Sequence, residues 1–483
     1  MPQTSAHIPT PTKIVYALPG LILAAVGLPL YVYIPKFYTD VVGVSATALG
    51  TLILAARMVD AVSDPLVGVL SDRTRTRFGR RRPYIALGSI FLAGLLAALY
   101  IPPQGSQIML TMWFGSAIIL LSLAWTLVDV PWESLGPEIT FTYDERTSLF
   151  SFREGMVIAG TILAAASPML IEQGLSLSES NPDQRRKFAV FALIYVPVIL
   201  GSCWLCAWRV KERMVSGTSA SQPRRGRSWS PGRELRTWGQ TLSNRPFVIL
   251  LAAYAVAALG ANLPATLIVY YVEYVLGGTQ AEIFILLYVL SGILCLPLWL
   301  WVSSNLDKKK AWIGAMAVNT GAFLGVFFLG PGQLTAYALL TVVSGTGFGA
   351  SLALPAAMQA DVIDYDQFLY GERREGRFIG VWSVVKKASS ALGLGLALPL
   401  LDFFGYQPGQ EQSDQVNLAL RVLYCLVPCV CNFAAMTIAL AYPLNREGHK
   451  AILEGIDQGS LGRSVPDPLR PQIIVHSKPG KAV

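Results

Sequence analysis

Arg57-Met-Val-Asp60-Ala-Val-Ser-Asp64-Pro-Leu-Val-Gly68-Val-Leu-Ser-Asp72-Arg73 places charged side chains inside a segment that is otherwise apolar. A charged side chain at bilayer depth costs about 2.5–3.5 kcal/mol on insertion scales, so it is tolerated only where it faces a protein interior or a water-filled path. Arg57, Asp60 and Asp64 are spaced i, i+3, i+7 and therefore share one helical face. The segment is predicted to be a membrane-spanning helix with one face on an ion or solute pathway.

The whole chain has the composition of a polytopic membrane protein. Of its 483 residues, 53% are hydrophobic and 14% are charged, and the mean hydropathy is +0.49, well outside the averages for soluble domains. About 20 apolar residues are needed to cross roughly 30 Å of hydrocarbon. We predict an all-α polytopic membrane protein with twelve transmembrane helices, at residues 13–38, 44–70, 84–103, 107–134, 148–171, 187–209, 246–275, 280–303, 311–330, 333–360, 377–403 and 416–442.

Basic residues concentrate in alternate loops. Lys and Arg cluster at residues 73–82, 209–245, 308–310 and 373–377, whereas the opposite loops contain almost none. By the positive-inside rule, both termini are predicted to face the cytoplasm of a cell inner membrane. One exception, Arg185-Arg186-Lys187, precedes the sixth helix on the outer side. The net charge of +8 thus reflects topology, and no nucleic-acid partner is predicted.

The predicted helices divide into two groups of six. Residues 1–12 form a cytoplasmic tail, 13–209 the first six-helix half, 210–245 a flexible cytoplasmic linker, 246–442 the second six-helix half, and 443–483 a cytoplasmic tail predicted to be disordered. This is the layout of major facilitator transporters, in which the substrate site lies at the midplane between the halves. We therefore predict the major facilitator fold.

Gly68, Asp72 and Arg73, with trailing arginines up to Arg82, resemble the major facilitator loop signature Gly-x-x-x-Asp-Arg. Asp72 is expected to pair with an arginine and a helix N-terminus and so to latch one access state. An ordinary topology-setting basic loop would explain the arginines but not Gly68 and Asp72. A degenerate copy, Asn305-Leu-Asp307-Lys308-Lys309-Lys310, stands at the equivalent position of the second half and supports the repeat.

Four further segments resemble one family with this fold. They are Tyr38-Thr-Asp-Val-Val-Gly-Val-Ser45, Thr126-Leu-Val-Asp129-Val-Pro131, Arg153, and Ala360-Asp361-Val-Ile-Asp364-Tyr365 leading to Lys386. With the opening segment, they are similar to the glycoside-pentoside-hexuronide cation symporters over roughly residues 13–442. The resemblance implies cation-coupled symport of a sugar, a glycoside or a related small organic solute by alternating access.

The resemblance further implies that Asp60, Asp64 and Asp129 hold the coupling cation. Hard cations prefer oxygen ligands, and carboxylates crowded in a desolvated pocket favour binding of a cation or a proton. Thr126 and Ser63 are expected to add hydroxyl oxygens. Family members that use sodium typically have Asn where this chain has Ser63, so both Na⁺ and H⁺ are candidates. Alternatively, the aspartates only make structural pairs with a nearby basic residue.

Solute contact is implied for Arg153 and Lys386. Lys386 lies in an apolar helix and needs a carboxylate partner or an open cavity. The alternative for Arg153 is a helix-start residue that pairs with Glu154 or Asp144.

The chain departs from the family's sugar transporters at two positions. Their carboxylate midway along the first helix is replaced by Ala24, and their aromatic platform in the fourth helix falls on Glu133. Glu133 and Glu273 are candidates to replace the lost carboxylate, or else interfacial residues. Candidates to stack on a sugar or contact an apolar solute, or else to anchor the helices at the membrane interface, are Trp125, Trp132 and Trp382. The missing carboxylate leaves open an amphipathic lipid-like solute such as a lysophospholipid.

Asp361, Asp364, Tyr365 and Arg373 resemble the family's cytoplasmic gate, where ion pairs close the inner exit. The alternative is a solvated charged loop.

Other classes of protein are less well supported by the sequence. The three histidines lie in the terminal tails and the six cysteines in apolar spans, so no catalytic residue, enzyme activity or cofactor is predicted, and no metal beyond a coupling Na⁺. A primary pump would require an ATP-binding signature. A non-transporting sensor on the same fold is the remaining alternative. The expected partners are a small organic solute, a monovalent cation or proton and membrane lipid, for a monomeric chain.

Overall fold

The structure of the chain is a computed structural model that describes residues 8–74, 76–139, 143–177, 180–210, 241–371, 374–460 and 465–475. Its helices are α1 (Thr10–Lys36), α2 (Ala46–Arg73), α3 (Arg82–Tyr100), α4 (Gln107–Ile139), α5 (Tyr143–Gly174), α6 (Asn181–Arg209), α7 (Arg245–Tyr270), α8 (Ala281–Leu294), α9 (Leu296–Asn305), α10 (Lys308–Phe327), α11 (Leu334–Thr346), α12 (Phe348–Tyr370), α13 (Glu375–Phe403), α14 (Asp414–Arg421), α15 (Val427–Leu440) and α16 (Arg446–Ser460). π-helical turns follow α1 (Phe37–Val42), α7 (Tyr271–Val275) and α14 (Val422–Leu426), and two strands, β1 (Val465–Asp467) and β2 (Arg470–Val475), follow α16.

Several helix ends coincide with residues suited to them. The Ser45 hydroxyl accepts a hydrogen bond of 3.2 Å from the Ala48 amide and caps α2. Prolines occupy the first turn of α3 and α6, where no intrahelical donor is lost. Gly43 ends the turn after α1 with φ of 90°, a left-handed conformation that favours glycine. These residues set where the chain leaves one span and enters the next.

Ten segments of the described chain are long and apolar enough to cross a membrane. Some combine two helices, such as α8 with α9 and α11 with α12. The ten do not include α2 and α10, which were predicted as the second and ninth spans. α2 carries Arg57, Asp60 and Asp64, and α10 begins with three lysines, so the charged residues lower the hydropathy of both. The predicted all-α polytopic membrane fold is confirmed.

The contacts within the chain define two compact units. The first comprises Met1–Ser221, Leu263–Leu286 and Ala391–Arg421, and the second comprises Gln222–Asn262, Leu287–Ser390 and Val422–Val483. These limits differ from the two predicted halves, because parts of the seventh, eighth and eleventh spans group with the first six. In the first unit, the rings of Tyr38 and Phe114 pack at 4.6 Å in the core. The core of the second unit is built around Trp312, Met358 and Phe378.

The C-terminal tail differs from the predicted disorder over most of its described length. α16 spans Arg446–Ser460, and β1 pairs antiparallel with β2, with Val465 opposite Val475. In α16, Ile452 is fully buried, and Ile456, one turn later, packs against the same core. Two apolar residues spaced i, i+4 among charged ones give this helix one core-facing side, which the polar composition of the tail concealed.

Other predicted segments lie outside the described residues. These are residues 1–7 of the N-terminal tail, residues 211–240 of the linker, and residues 461–464 and 476–483 of the C-terminal tail.

Candidate cation and solute site

Asp60 on α2 is held by two side chains. Arg57, one turn earlier, donates from Nη1 to Asp60 Oδ2 at 3.3 Å, and its guanidinium stacks 3.9 Å from the centre of the Tyr31 ring on α1. Ser122 on α4 donates a hydrogen bond to Asp60 Oδ1. Asp60 is only 8% exposed. Its carboxylate is therefore both paired with a charge and hydrogen-bonded, as burial of a charge requires.

Asp64, one turn further along α2, is linked to α4 through Thr126. The Thr126 hydroxyl donates to Asp64 Oδ1 at 3.0 Å and lies 3.2 Å from the Ser63 hydroxyl. Ser63 in turn reaches the backbone carbonyl of Asp60 at 3.3 Å. Thr126 is 2% exposed and Ser63 is 7% exposed. A row of oxygen atoms thus runs from the Asp64 carboxylate through the Thr126 and Ser63 hydroxyls to the backbone carbonyl of Asp60, across the contact of α2 with α4.

These oxygen atoms are of the kind that hard cations bind. Among the described residues, no group of three or more His, Cys, Asp and Glu side chains could hold a metal ion. A cation at this place would therefore take hydroxyl or carbonyl oxygens as well as carboxylates. We call Asp60, Ser63, Asp64, Ser122 and Thr126 the α2–α4 cluster.

A cavity of about 430 Å³ adjoins this cluster in the first unit, within the range of small-molecule sites. α1, α2, α4 and α5 form its walls. The lining residues with polar or aromatic side chains are Tyr31, Arg57, Asp60, Ser122, Trp125, Asp129, Trp132, Glu133 and Thr161. Ala24 faces the same space. Asp129 and Glu133 therefore line the same cavity as Ala24, the position at which the family's sugar transporters have a carboxylate.

Two tryptophans of α4 pack directly on α1. A Cβ placed on Gly20 would lie 2.8 Å from the Trp132 ring, and one on Gly27 would lie 3.3 Å from the Trp125 ring. Trp132 is 3% exposed and donates from Nε1 to the Tyr16 carbonyl at 2.8 Å, which fixes the plane of its ring. The glycines leave room for the indoles, and the two rings flank Ala24 along α1.

Arg153 and Glu273 occupy other positions. Arg153 binds Glu154 Oε1 from Nη2 at 2.6 Å and stacks 4.8 Å from the centre of the Phe150 ring. Among the described residues, the cavity walls do not include Arg153, and its pair with Glu154 matches the alternative stated from the sequence. Glu273 forms an ion pair with Lys36.

In the second unit, Trp382 and Lys386 lie one turn apart on α13. Trp382 packs on Tyr254 of α7, with ring centres 4.4 Å apart. Ser390, one turn after Lys386, donates to Asn262 Oδ1 at 3.1 Å. Residues four apart share a helical face, so Lys386 lies on the same face of α13 as the two residues that contact α7. Its side chain is exposed.

The predicted gate carboxylates of α12 contact α10 and the C-terminal tail. Lys308 Nζ lies 2.6 Å and 2.8 Å from the two oxygens of Asp361. His449 Nε2 lies 3.1 Å from Asp364 and 3.5 Å from Asp361. The hydrogen bond with Asp364 raises the pKa of His449 above its usual value, against the opposing effect of burial.

Other predicted gate residues are less fully defined. Tyr365 donates its hydroxyl to Asp467 at 2.9 Å. Gly68 lies within α2, where a Cβ would be 3.7 Å from Val130. The side chains of Asp72 and Arg73, and the whole of Arg373, lie outside the described residues.

Sequence analysis missed three residues that contact this set. Ser122 was detectable, because Ser122, Thr126, Asp129 and Glu133 form one polar stripe at i, i+4, i+7 and i+11 along α4. Tyr31 gave no signal, since an aromatic residue in an apolar span is indistinguishable from core. His449 was set aside with the tail.

Residues 15–446 match the family described as MFS/sugar transport protein. The chain belongs to this family. A putative glycoside/cation symporter of Escherichia coli K12 is 27% identical over 89% of this chain and 92% of its own length. The isoprimeverose transporter of Lactiplantibacillus pentosus is 28% identical over 85% of this chain and 83% of its own length. A variant of the nucleoside transporter NupG, at 11% identity, shares the fold with a TM-score of 0.64 over 88% of this chain and 99% of its own.

As a member of the sugar transport family, the protein is a multi-pass membrane transporter and not an enzyme. The predicted membership of the glycoside-pentoside-hexuronide branch of the major facilitator superfamily is confirmed.

Proposed function

We propose that the protein is a symporter that couples the movement of Na⁺ or H⁺ to that of a sugar or glycoside. The α2–α4 cluster would take the cation, and the adjoining cavity would take the solute. The observation that carries this proposal is the row of oxygen atoms from the Asp64 carboxylate through the Thr126 and Ser63 hydroxyls to the backbone carbonyl of Asp60, a residue that also lines the cavity. Relatives named as a glycoside/cation symporter and an isoprimeverose transporter support it.

Coupling follows from the shared position of Asp60. Its carboxylate pairs with Arg57 and lines the cavity, and Asp64, one turn further along α2, accepts a hydrogen bond from Thr126 of α4. A cation coordinated by Asp64 on α2 and by the Thr126 hydroxyl on α4 would tie the two helices together, and α4 also carries Trp125, Asp129, Trp132 and Glu133. Ion binding and the shape of the solute cavity are thereby linked, and linkage requires the solute to improve ion binding in return.

The cavity offers both kinds of contact that a sugar ring needs. The indoles of Trp125 and Trp132 present flat apolar surfaces, and Asp129 and Glu133 present carboxylate oxygens that accept hydrogen bonds from hydroxyls. Glu133 is one turn from Asp129 and supplies, from α4, the second carboxylate that the first helix lacks at Ala24. Lys386, on α13 of the second unit, stays a proposed solute-binding residue.

The test is uptake into proteoliposomes under an imposed Na⁺ or H⁺ gradient. Asp64→Asn is expected to abolish concentrative uptake while part of the solute exchange or binding survives. Asp414→Asn, an exposed aspartate at the start of α14, is the matched control and should accumulate solute normally. Unchanged gradient-driven accumulation by Asp64→Asn would remove the cation-site assignment.

A solute screen on the same vesicles decides between the remaining candidates. Saturable uptake of sugars or glycosides, and none of lysophospholipids, supports the proposal, whereas the opposite result assigns an amphipathic solute. Solute binding without any gradient-driven flux would indicate a sensor. We also propose that both termini face the cytoplasm, on the evidence of the loop charges.

A further inference from the structure

A dense polar cluster surrounds the end of α1 and the turn that follows it. Lys36 binds Asp40 at 2.9 Å and also forms an ion pair with Glu273 of the turn after α7. The Lys36 ammonium lies 4.9 Å from the centre of the Tyr274 ring, within cation–π range. The lysine side chain is 15% exposed and that of Asp40 is 11% exposed.

Two tyrosines complete the cluster. Tyr274 donates to Asp40 Oδ2 at 2.7 Å, and Tyr406, from the loop after α13, donates to Asp40 Oδ1 at 2.6 Å. Thr39 also donates to Asp40, so one carboxylate accepts hydrogen bonds from four side chains. Charge-assisted hydrogen bonds of this kind are roughly twice as strong as neutral ones. We call Lys36, Asp40, Glu273, Tyr274 and Tyr406 the first clasp.

A second clasp is centred on Lys187, near the start of α6. Lys187 is 6% exposed and binds Glu172 of α5 at 2.9 Å and Glu282 of α8 at 3.4 Å. The next residue, Phe188, packs on Phe37 with ring centres 4.2 Å apart. The two clasps are therefore joined through adjacent aromatic side chains.

These contacts connect the first six spans to the outer ends of the seventh, eighth and eleventh. Glu273, Glu282 and Tyr406 all lie in chain segments that group with the first compact unit. They stand beside the loops that the positive-inside rule places outside the cell. The second clasp also accounts for one residue of the basic run Arg185-Arg186-Lys187 on that side, because Lys187 is paired with two glutamates.

We propose that the two clasps form the outer gate of the transporter. While they are closed, solute cannot reach the cavity at Ala24 from outside, and they must open in each transport cycle. The alternative is that the ion pairs only anchor helices and never separate. The two cases predict different results when the glutamates of the clasps are replaced by glutamine. Only if the clasps are a gate should a reagent then reach the cavity more easily from outside.

The test measures the reactivity of one cysteine. Ala24→Cys is introduced after replacement of the six native cysteines, which the structure shows as free thiols. Intact right-side-out vesicles are treated with a membrane-impermeant maleimide, and the labelling rate is measured without solute or ion gradient. Because no transport is required, the result is independent of whether the proposed coupling is correct.

Glu273→Gln with Glu282→Gln is expected to increase the labelling rate about tenfold, the effect of shifting a two-state equilibrium by roughly 1.4 kcal/mol. The matched control is Glu411→Gln, an exposed glutamate in a loop predicted on the same side, which should label at the parent rate. A parent rate in the double variant, with or without a lower melting temperature, would assign a purely structural role and overturn the proposal.

An exchange of the charges at positions 187 and 282 tests whether faster labelling results from misfolding. In the Ala24→Cys protein, Lys187→Glu places a carboxylate next to Glu172 and Glu282, and like charges repel. The cysteine at position 24 should then be labelled rapidly. Addition of Glu282→Lys restores an ion pair of reversed charge between positions 187 and 282 and should return the rate part of the way toward that of the parent, because Glu172 still faces a like charge at position 187. If the exchanged protein labels as fast as the single variant, the second clasp is not a gate.

Discussion

Thr126→Val replaces one buried hydroxyl of the α2–α4 cluster by a methyl group and leaves the shape of the side chain almost unchanged. The Thr126 hydroxyl donates to Asp64 at 3.0 Å and lies 3.2 Å from Ser63, at 2% exposure. A hydrogen bond to a charged group contributes about 1.5–3 kcal/mol, and an acceptor left buried without it keeps its desolvation penalty. If the cation replaces that bond by direct coordination of the hydroxyl oxygen, its binding weakens by roughly 10- to 150-fold.

The assay is the cation dependence of solute uptake in proteoliposomes. For Na⁺ coupling, the concentration that gives half-maximal uptake should rise by that factor in Thr126→Val. For H⁺ coupling, loss of the Thr126 hydroxyl should shift the alkaline limb of the plot of solute uptake against pH. Thr126→Ser keeps the hydroxyl and should retain most of the cation affinity.

A matched control lies on the same helix. The hydroxyl of Thr111 bonds only its own backbone, at the Gln107 carbonyl, so Thr111→Val should leave the cation dependence unchanged. If Thr126→Val transports with the parental cation dependence while it folds normally, the α2–α4 cluster does not bind the ion. The assignment of Asp64 would then fail with it.

Three more predictions concern the cavity and the tail. Gly20→Ala should displace the Trp132 ring, since its Cβ would lie 2.8 Å away, and raise the KM for solute about tenfold; a parental KM would show that the ring does not contact solute. Glu133→Gln should raise the KM about fivefold with little change in the cation dependence, because a neutral amide is the weaker acceptor for a hydroxyl; an equal change in cation affinity would instead place Glu133 in the cation site. Because the pKa of His449 is raised, its protonation stabilises the docking of α16, fully below pH about 6.5. This contribution is lost as pH rises through the raised pKa. The protection of residues 446–460 against hydrogen exchange, relative to the intrinsic exchange rate, should therefore fall at alkaline pH. Asp361, Asp364 and Lys308 face this histidine, and His449→Gln should remove the pH dependence; a slope that persists would assign it to those groups.

The sequence predicted what depends on hydropathy and on local motifs. The membrane fold followed from the apolar spans, whereas α2 was predicted as a span from its charges and motif and is not among the ten segments that are apolar enough to cross a membrane. Three of the four residues in the polar stripe of α4 were identified from the sequence, namely Thr126, Asp129 and Glu133, whereas Ser122 was not. In contrast, Lys36 and Lys187 each have one partner far along the chain, Glu273 and Glu282, and no local pattern relates these residues. The order of α16 was missed for a similar reason, because its stability comes from packing on α12 rather than from its own composition.

The charges in the first unit fall into two sets that share one helix. Arg57 and Asp60 face the cavity, and Lys36 and Asp40 belong to the outer clasp. α1 connects the sets, because Ala24 lines the cavity and Lys36 lies twelve residues further on, about 18 Å along the helix.

Pro29 and Pro35 interrupt α1 between these two points, and each removes a backbone donor from the hydrogen-bond ladder of the helix. A helix with such interruptions bends more easily than a continuous one. We therefore expect that a solute wedged between Ala24 and the two indoles can alter the strength of the first clasp through α1 itself. Replacement of Pro29 by Ala should stiffen this connection, and it should reduce the effect of solute on hydrogen exchange in the turn Phe37–Val42 without abolishing solute binding.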